Sequence, residues 1–400
     1  MQLFFGLILT LLATPALIWA AHNYGLLDHP DERKQHQEAI PLVGGLAMFF
    51  AIAVSAAWYL AGTDIFWGLL ASVSIIVLIG FLDDWIELSV GIRFLAQGVA
   101  ALIMALFAGA QLASLGDLFG FGTVGLGVLA VPFTIFAVVG VANALNLSDG
   151  MDGLAGGLAL ISTAFVAAAA HFAGRENTFI AMLILGGALL GFLFFNMRLP
   201  WQHRAKVFMG DSGSLMLGLL LAWGVIGVTQ GEGRALPPAA ALWFFAIPLW
   251  DTVSLMLRRV LKGKSPFHPG RDHLHHILVR VGYRDSQVVF FIHLFAVACG
   301  LVGFFGWRWG VPDAVMFYGF LAVFALYCAG VRHAWKLMRL IVPLRQPRGE
   351  SGERRAERGE RRVESGEWRA ESGERRAESG ERRAESGERR AERTVHLKSY

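Results

Sequence analysis

Charged residues are scarce in this chain, and cysteine is almost absent from it. Only 16% of the 400 residues are charged, whereas 55% are hydrophobic and the mean hydropathy is +0.52. Because apolar stretches near the length of a bilayer span recur along most of the sequence, this composition predicts a polytopic helical membrane protein. The two cysteines, Cys299 and Cys328, both fall in late apolar stretches, which excludes a disulfide framework or a cysteine metal site and leaves them as packing residues.

The apolar stretches predict the fold class, an all-α polytopic membrane protein with about eleven transmembrane helices. The predicted spans cover residues 3–21, 41–61, 66–82, 94–110, 124–145, 154–173, 179–195, 214–228, 239–257, 288–305 and 315–331. No lysine or arginine precedes the first span, as the basic segment of a cleavable signal peptide would require. We therefore expect a retained anchor whose N-terminus lies outside.

The distribution of lysine and arginine supports that orientation. With the N-terminus outside, the outer loops carry Arg175, Arg234 and Arg308. The cytoplasmic loops then carry Arg33, Lys34, Arg93, Arg198, Arg204, Lys206, Arg258, Arg259, Lys262, Lys264, Arg271, Arg280 and Arg284. Since basic residues concentrate on the cytoplasmic side of membrane proteins, the pattern predicts an outer N-terminus and a cytoplasmic C-terminus.

The C-terminal part of the sequence has a different composition. From Glu350 to Arg393 a seven-residue unit, Glu-Ser-Gly-Glu-Arg-Arg-Ala, repeats with variations and supplies 13 glutamates and 13 arginines. One alanine or valine per unit is too little for a coiled-coil seam, which needs two apolar positions. We therefore predict a transmembrane domain over residues 1–340 and a low-complexity, disordered tail over residues 341–400. Of the 31 acidic residues, 13 are the tail's glutamates, so only 18 lie in the first 349 residues and their positions are informative.

These scarce acidic residues gather where predicted spans end. The segment that closes the fifth span holds two amides and two carboxylates, namely Asn143, Asn146, Asp149 and Asp152. Asp83 and Asp84 follow the third span, and Asp211 precedes the eighth. Polar groups in a membrane are costly and are usually retained for function, so these segments are candidates for a site.

A further polar segment follows the ninth span. Asp251 lies in the inner half of that span, and the loop after it contains Arg271, His273, His275 and His276. By the predicted topology all five polar segments face the cytoplasm at about the depth of the lipid headgroups. Mg²⁺ is usually shared between carboxylates and substrate phosphates, and arginine and histidine suit a diphosphate. This inventory therefore predicts phosphoryl transfer from a nucleotide-activated substrate.

Each segment also has a simpler interpretation. Asp83 and Asp84 could form a solvated helix cap, residues 149–153 could be a glycine turn, and Asp211 is well placed as a helix N-cap. The histidines could bind a metal, although they have no cysteine partners at zinc spacing. None of these alternatives predicts convergence on one face, which favours a shared site.

At these positions the chain resembles the polyprenyl-phosphate N-acetylhexosamine-1-phosphate transferases of bacteria. The matching segments occur in family order over about residues 28 to 340. They are Asp31-Glu-Arg-Lys-Gln-His36 with Ile40-Pro-Leu-Val-Gly-Gly45, Gly80-Phe-Leu-Asp-Asp84, residues 143–153, Lys206-Val-Phe-Met-Gly-Asp-Ser-Gly-Ser214, Ile247-Pro-Leu-Trp-Asp251 and residues 262–276.

The resemblance implies that an oxygen of undecaprenyl phosphate attacks the sugar-bearing phosphate of UDP-N-acetylglucosamine (UDP-GlcNAc) at the bacterial inner membrane. The products would be undecaprenyl-diphospho-N-acetylglucosamine and UMP, which would begin a surface polysaccharide such as O-antigen or an exopolysaccharide. By the family pattern Asp211 and Asp84 hold Mg²⁺ or Mn²⁺, and the catalytic residues are Asp83, Asp84, Asp149 and Asp152. The implied substrate-binding residues are Lys34, Asn146, Asp251, Arg271, His273, His275 and His276.

The role of Asp83 follows partly from the acceptor's own chemistry. A phosphate monoester has a second pKa near 6, so at neutral pH the lipid phosphate is already mostly the dianion and needs little help to lose a proton. We therefore favour direct attack, with Asp83 as a positioning residue or a weak base. A covalent aspartyl-phosphate on Asp149 or Asp152 is the alternative.

Two positions depart from the family pattern. Glu87 stands where the family often has a third aspartate, which keeps the charge but reaches further. Gly91 stands where relatives often have a lysine, so a phosphate contact is either missing or supplied by Arg93.

Other functions remain open at this point. The same chemistry could use UDP-GalNAc, a 6-deoxy-aminosugar or UDP-MurNAc-pentapeptide. A secondary transporter would place its polar groups near the midplane in broken helices, and a membrane scaffold would not need the acids. The implied partners are the sugar nucleotide, the lipid phosphate and the bilayer, with no nucleic acid; a homodimer is compatible with the sequence.

Overall fold

The computed structural model describes residues 1–28, 39–231, 236–263, 265 and 273–333, which form a bundle of α-helices. The helices in these ranges are α1 (Gln2–Tyr24), α2 (Gly44–Tyr59), α3 (Phe66–Ile86), α4 (Val90–Phe107), α5 (Ala130–Leu147), α6 (Leu154–Phe172), α7 (Glu176–Asn196), α8 (Gly210–Thr229), α9 (Pro238–Ala241), α10 (Ala246–Val260), α11 (Leu274–Val281), α12 (Asp285–Arg308) and α13 (Asp313–Arg332). Two short strands, β1 (Leu27–Asp28) and β2 (Ile40–Pro41), pair antiparallel between α1 and α2. The predicted tail over residues 341–400 lies outside the described residues.

Ten segments of the described chain are long and apolar enough to cross a membrane. They are α1, α3, α4, α5 with the 3₁₀ turn Gly127–Leu129 before it, α6, α7, α8, the joined segment Pro238–Val260, α12 and α13. Helix α2 is apolar but has only 16 residues, which is shorter than a typical crossing. The prediction of an all-α polytopic membrane protein is confirmed.

Two predicted elements differ from the observed ones. The ninth span, predicted as one helix, is divided into α9, a 3₁₀ turn at Leu242–Phe245 and α10. Pro248 explains the break, because proline has no N–H to donate to the carbonyl of Phe244 four residues earlier. That carbonyl instead accepts a hydrogen bond from Ser162 Oγ at 2.7 Å. The prediction of a loop at His275 and His276 is also wrong, since both residues lie on α11.

Helix α8 lies at the centre of the bundle and organises its polar end. It packs against α2, α3, α5, α6 and α7, and most of its side chains are buried. Gly80 of α3 lies directly against the backbone of Ser212, where any Cβ would collide. This close approach brings the C-terminal end of α3 beside the N-terminal end of α8, which is where the acidic residues are.

Candidate active site

The turn between α3 and α4 brings Asp83 and Arg93 together. Glu87, which follows α3, has a φ of 51°, the only positive value among the non-glycine residues described. The carboxylate of Asp83 accepts a hydrogen bond from the Leu88 N–H at 2.8 Å and another from Arg93 Nη1 at 2.8 Å. Asp83 is only 7% exposed, so its buried charge is compensated by these two donors.

Asp84 contacts α8, whereas its neighbour Asp83 contacts Arg93 of α4. Successive residues of an α-helix lie about 100° apart around its axis, so adjacent side chains diverge. Asp84 Oδ1 accepts a hydrogen bond from the Asp211 N–H at 2.8 Å, and Oδ2 accepts one from the Ser212 N–H at 3.3 Å. The first N–H groups of a helix have no partner inside it and carry the positive end of its dipole. Asp84 therefore caps the N-terminus of α8 from α3.

Asp211, in the first turn of α8, is the residue where the ends of four spans meet. Its Oδ1 accepts a hydrogen bond from Asn146 Nδ2 at 2.7 Å, and its Oδ2 lies 3.6 Å from Arg93 Nη1. Asn146, from the end of α5, also donates to Ser214 Oγ at 2.9 Å. The carboxyl groups of Asp211 and Asp83 are close enough to share a hydrogen bond.

The loop between α5 and α6 adds a further carboxyl group. Burial, followed by the negative charges of Asp211 and Asp152, raises the pKa of Asp149 to about 7. We refer to Asp83, Asp84, Asp149 and Asp211 as the carboxylate cluster. Among the described residues, Arg93 is the cation that forms ion pairs with this cluster, so the described cluster has an excess of acidic groups. Oxygen donors with excess negative charge fit a divalent cation such as Mg²⁺.

Within the described part of the chain, no group of three or more His, Cys, Asp and Glu side chains could hold a metal ion by itself. Mg²⁺ usually keeps several waters and binds through one or two carboxylates together with substrate phosphates. The cluster suits that mode of binding, because Asp211 and Asp84 are fixed side by side at the start of α8.

Asp152 belongs to a separate ion-pair network. Its Oδ2 accepts hydrogen bonds from Arg198 Nε at 2.8 Å and from the Ala205 N–H at 3.2 Å. Arg198 Nη1 in turn lies 2.7 Å from Asp285 Oδ2 at the start of α12. This network ties the α5–α6 loop to the segment between α7 and α8 and to α12.

Asp251 lies at the centre of a second polar group. Its Oδ2 pairs with His273 Nδ1 at 2.7 Å, while its Oδ1 accepts hydrogen bonds from the Leu274 N–H and the Tyr327 hydroxyl, both at 2.9 Å. Because a carboxylate only accepts, Nδ1 of His273 carries the hydrogen. Leu274 is the first residue of α11, so Asp251 caps that helix, and Tyr327 reaches the same carboxylate from α13.

Helix α11 carries His275 to the α5–α6 loop. His275 is 3% exposed and its ring lies directly against Gly150, the neighbour of Asp149, where a Cβ would collide. Its Nε2 has no hydrogen-bond partner among the residues described. Burial, followed by the positive charge of His276, lowers the pKa of His275 to about 3, so its imidazole is neutral at pH 7. His275 therefore presents an unpaired polar nitrogen beside the carboxylate cluster.

The structure thus brings some of the predicted site residues together and separates others. Those that gather around the start of α8 are Asp83, Asp84, Asn146, Asp149 and Asp211. His275 adjoins them through its contact with Gly150, and the rings of His273 and His276 pack against the ring of His275. Asp152 and Asp251 are engaged in the two networks above. Lys34 and Arg271 lie outside the described residues.

Sequence reasoning did not find three residues of these networks. Ser214 could have been found, because it follows Asp211 by three residues and lies on the same face of α8. Arg198 resembled an ordinary inner-loop charge. Tyr327 is one of two tyrosines in an apolar span, and nothing in the sequence distinguishes it from Tyr318.

Residues 66–229 match the family model described as Glycosyl transferase family 4. Over 339 residues the chain is 37% identical to the undecaprenyl-phosphate alpha-N-acetylglucosaminyl 1-phosphate transferase of Escherichia coli (strain K12), an alignment that covers 83% of this chain and 91% of that protein. A protein of the same name from Yersinia pestis is 36% identical over 324 residues, covering 80% of this chain and 88% of the relative. A third, from Haemophilus influenzae, is 36% identical over 341 residues, covering 84% and 94%. The whole carboxylate cluster lies within residues 66–229.

Proposed function

Because this chain belongs to glycosyl transferase family 4, we propose that it transfers N-acetylglucosamine 1-phosphate from UDP-GlcNAc to undecaprenyl phosphate. The products are undecaprenyl-diphospho-N-acetylglucosamine and UMP, and the reaction initiates a surface polysaccharide. The observation that carries this proposal is the convergence of the carboxylate cluster and Arg93 around Asp211 at the ends of four apolar spans, α3, α4, α5 and α8.

In the proposed reaction an oxygen of the lipid phosphate forms a bond to the sugar-bearing phosphorus of UDP-GlcNAc. The bond from that phosphorus to the oxygen it shares with UMP breaks, and UMP leaves with that oxygen. Because the acceptor phosphate is mostly the dianion at neutral pH, no strong base is required. Asp83 is already bonded to Arg93 and to the Leu88 N–H, so its main role is to orient Arg93 towards the phosphates.

Asp211 and Asp84 are the residues that we propose hold Mg²⁺ or Mn²⁺, because Asp84 is held against the start of α8, which carries Asp211. The ion would neutralise oxygens of the donor diphosphate, which is the main electrostatic need of phosphoryl transfer. Asn146 fixes the carboxylate of Asp211 through the hydrogen bond to Oδ1. Asp149, whose pKa is raised to about 7, adds a carboxyl group beside the same cluster, and a bound cation would favour its charged form.

The residues of α11 would hold the donor. His275 is buried, neutral and without a partner for Nε2, so the neutral ring can donate a hydrogen bond from that atom to a diphosphate oxygen. Asp251 and Tyr327 fix α11 by capping it and by orienting His273. This division makes the carboxylate cluster the metal and acceptor side of the site, and α11 the donor side.

The topology completes the proposal. The short helix α2 makes the eleventh crossing, the N-terminus lies outside, and the site opens to the cytoplasm, where sugar nucleotides are made. Arg93 and Arg198 then lie on the inner side, in agreement with the positive-inside rule. The proposed location is the bacterial inner membrane, and the proposed division is a transferase domain over residues 1–340 and a tail over residues 341–400 that takes no part in catalysis.

The test is UMP release by the purified full-length protein in lipid nanodiscs, with undecaprenyl phosphate and Mg²⁺. We expect release from UDP-GlcNAc that requires both the lipid and the metal, and that falls below detection in Asp211→Ala. Asp64→Ala is the matched control, because Asp64 is an exposed aspartate in the loop before α3, at the opposite end of that helix from Asp83 and Asp84, and should keep full activity.

Parallel reactions with UDP-GalNAc, a UDP-linked 6-deoxy-aminosugar and UDP-MurNAc-pentapeptide rank the donors. Faster release from one of these would reassign the sugar and keep the chemistry. No release from any donor by folded protein would refute the transferase proposal.

A further inference from the structure

Two amide side chains meet inside the membrane-spanning part of the bundle, away from the residues assigned above. Gln97 of α4 is 2% exposed, and its Oε1 accepts a hydrogen bond from Asn143 Nδ2 of α5 at 2.5 Å. The second hydrogen of the same Nδ2 goes to the Val139 carbonyl at 2.8 Å. Gln97 is buried and Asn143 is half-buried, and amides within a membrane span are costly and usually retained for function, so this pair needs an explanation beyond packing.

The pair lies one helical turn from the carboxylate cluster on both helices. Gln97 follows Arg93 by four residues on α4, and Asn143 precedes Asn146 by three residues on α5. Residues at these spacings share a face of a helix and are separated by about one turn, or roughly 5 Å along the axis. The Gln97–Asn143 hydrogen bond therefore links the two faces that present Arg93 and Asn146 to Asp211.

Arg93 and Asn146 bracket Asp211 from opposite sides. Arg93 Nη1 lies 3.6 Å from Oδ2, and Asn146 Nδ2 lies 2.7 Å from Oδ1. A shift of α4 along α5 would change the first distance relative to the second. The buried residues of α4 beyond Gln97 are mostly small and apolar, namely Ala100, Ala101, Met104 and Ala105, and such contacts are not directional.

We propose that Gln97 and Asn143 are positioning residues that fix the axial register of α4 against α5 and thereby hold Arg93 and Asn146 at Asp211. The inference rests on the proposed function, because the effect of the register is measured through the rate of the proposed reaction. A helix displacement of about 1 Å can cost a factor of about 10² in rate, which sets the scale of the expected effect.

The experiment compares Gln97→Met and Asn143→Leu with the swapped double variant Gln97→Asn/Asn143→Gln, all in nanodiscs. Each single variant should lower kcat about 10- to 100-fold with less than about a threefold change in KM for UDP-GlcNAc, because the donor side of the site is untouched. The swap keeps an amide pair of the same total length and should restore kcat to within about fivefold of wild type. Methionine matches glutamine in length, so Gln97→Met alone decides the matter if Asn143→Leu does not fold.

Thr134→Val is the matched control on the other end of α5. Thr134 Oγ1 accepts a hydrogen bond from the Leu112 N–H at 2.8 Å and is fully buried, so its loss lowers Tm but should leave kcat unchanged. Unchanged kcat in Gln97→Met with active wild type would overturn the positioning role, as would a swap variant no better than the singles. Inactive wild type with every donor would instead refute the proposed function, so the two failures are distinguishable.

Discussion

Replacing Asp251 by asparagine should weaken the use of UDP-GlcNAc although Asp251 is not in the carboxylate cluster. Asp251 is 5% exposed and accepts from three donors, His273 Nδ1, the Leu274 N–H and the Tyr327 hydroxyl. The amide group keeps one oxygen for Leu274 and Tyr327, but its NH₂ group faces the N–H of His273. The amide carries no charge, so all three hydrogen bonds lose their charge assistance, and His273 must carry its hydrogen on Nε2 for Nδ1 to accept from the NH₂ group; together these changes cost about 1.5–3 kcal/mol.

The loss of that stabilisation makes α11, the helix that Asp251 caps, less firmly held, and His275 on α11 is then less well positioned. Since every 1.4 kcal/mol is tenfold, kcat/KM for UDP-GlcNAc should fall about 10- to 100-fold. Tyr327→Phe removes one hydrogen bond but leaves no donor without a partner. We therefore expect a cost of about 1 kcal/mol, which corresponds to a kcat/KM about fivefold lower. The ranking of these two variants follows because Asp251→Asn weakens three hydrogen bonds, whereas Tyr327→Phe removes one.

The assay is steady-state UMP release over a range of UDP-GlcNAc concentrations, together with amide hydrogen exchange of residues 274–281. Exchange in α11 should increase in Asp251→Asn, and less in Tyr327→Phe. Asp117→Asn is the control, because Asp117 Oδ1 accepts from the Gly122 N–H at 2.9 Å in the α4–α5 loop, at the opposite end of both helices from the carboxylate cluster. Wild-type kcat/KM in Asp251→Asn, or a larger loss in Tyr327→Phe, would refute the reasoning.

Three further predictions concern stability. Folding raises the pKa of Asp149 from its ordinary value of 3.8 to about 7. The metal-free protein should therefore lose thermal stability as pH rises from about 4 to about 7. Asp149→Asn should reduce that loss in melting curves recorded with EDTA. Arg198→Ala removes the partner of two carboxylates at a site that is 38% exposed, so it should lower Tm by only a few degrees. Arg198→Lys should recover only part of that loss, because an ammonium group lacks the fork of the guanidinium. Equal Tm values for wild type and both variants would contradict this prediction. Gly80→Ala should prevent correct folding because its Cβ would meet the α8 backbone, whereas Gly98→Ala, with only a side-chain atom 4.0 Å away, should elute from size exclusion like wild type.

The sequence was sufficient to predict that the acidic residues gather at one end of the helix bundle. Asp83, Asp84 and Asp211 lie at the ends of apolar runs, and the side of the membrane on which a run ends is fixed once the runs are counted. Convergence could therefore be predicted without any contact being known. The same reasoning placed Asn146 and Asp149, because they follow the fifth run.

The individual partners could not be predicted in this way. That Asp84 caps α8 while Asp83 binds Arg93 depends on how α3 is rotated about its axis, which composition does not specify. Helix α11 has only eight residues, too few for a periodic pattern to be distinguished from a loop. Tyr327 is separated from Asp251 by 76 residues, and nothing in an apolar span marks one tyrosine as a hydrogen-bond donor.

The cap that Asp84 places on α8 also bears on biogenesis. The backbone N–H groups that bind this carboxylate belong to Asp211 and Ser212. Both residues are synthesised well after Asp84, because they follow it by 127 and 128 residues. Until α8 leaves the ribosome and enters the bundle, Asp84 has no helix N-terminus to cap and must remain solvated at the membrane surface. Helices α3, α4 and α5 can therefore insert early, but they close around their acidic ends only when the central helix arrives. Nascent chains truncated before residue 210 should consequently remain loosely assembled and accessible to quality-control proteases.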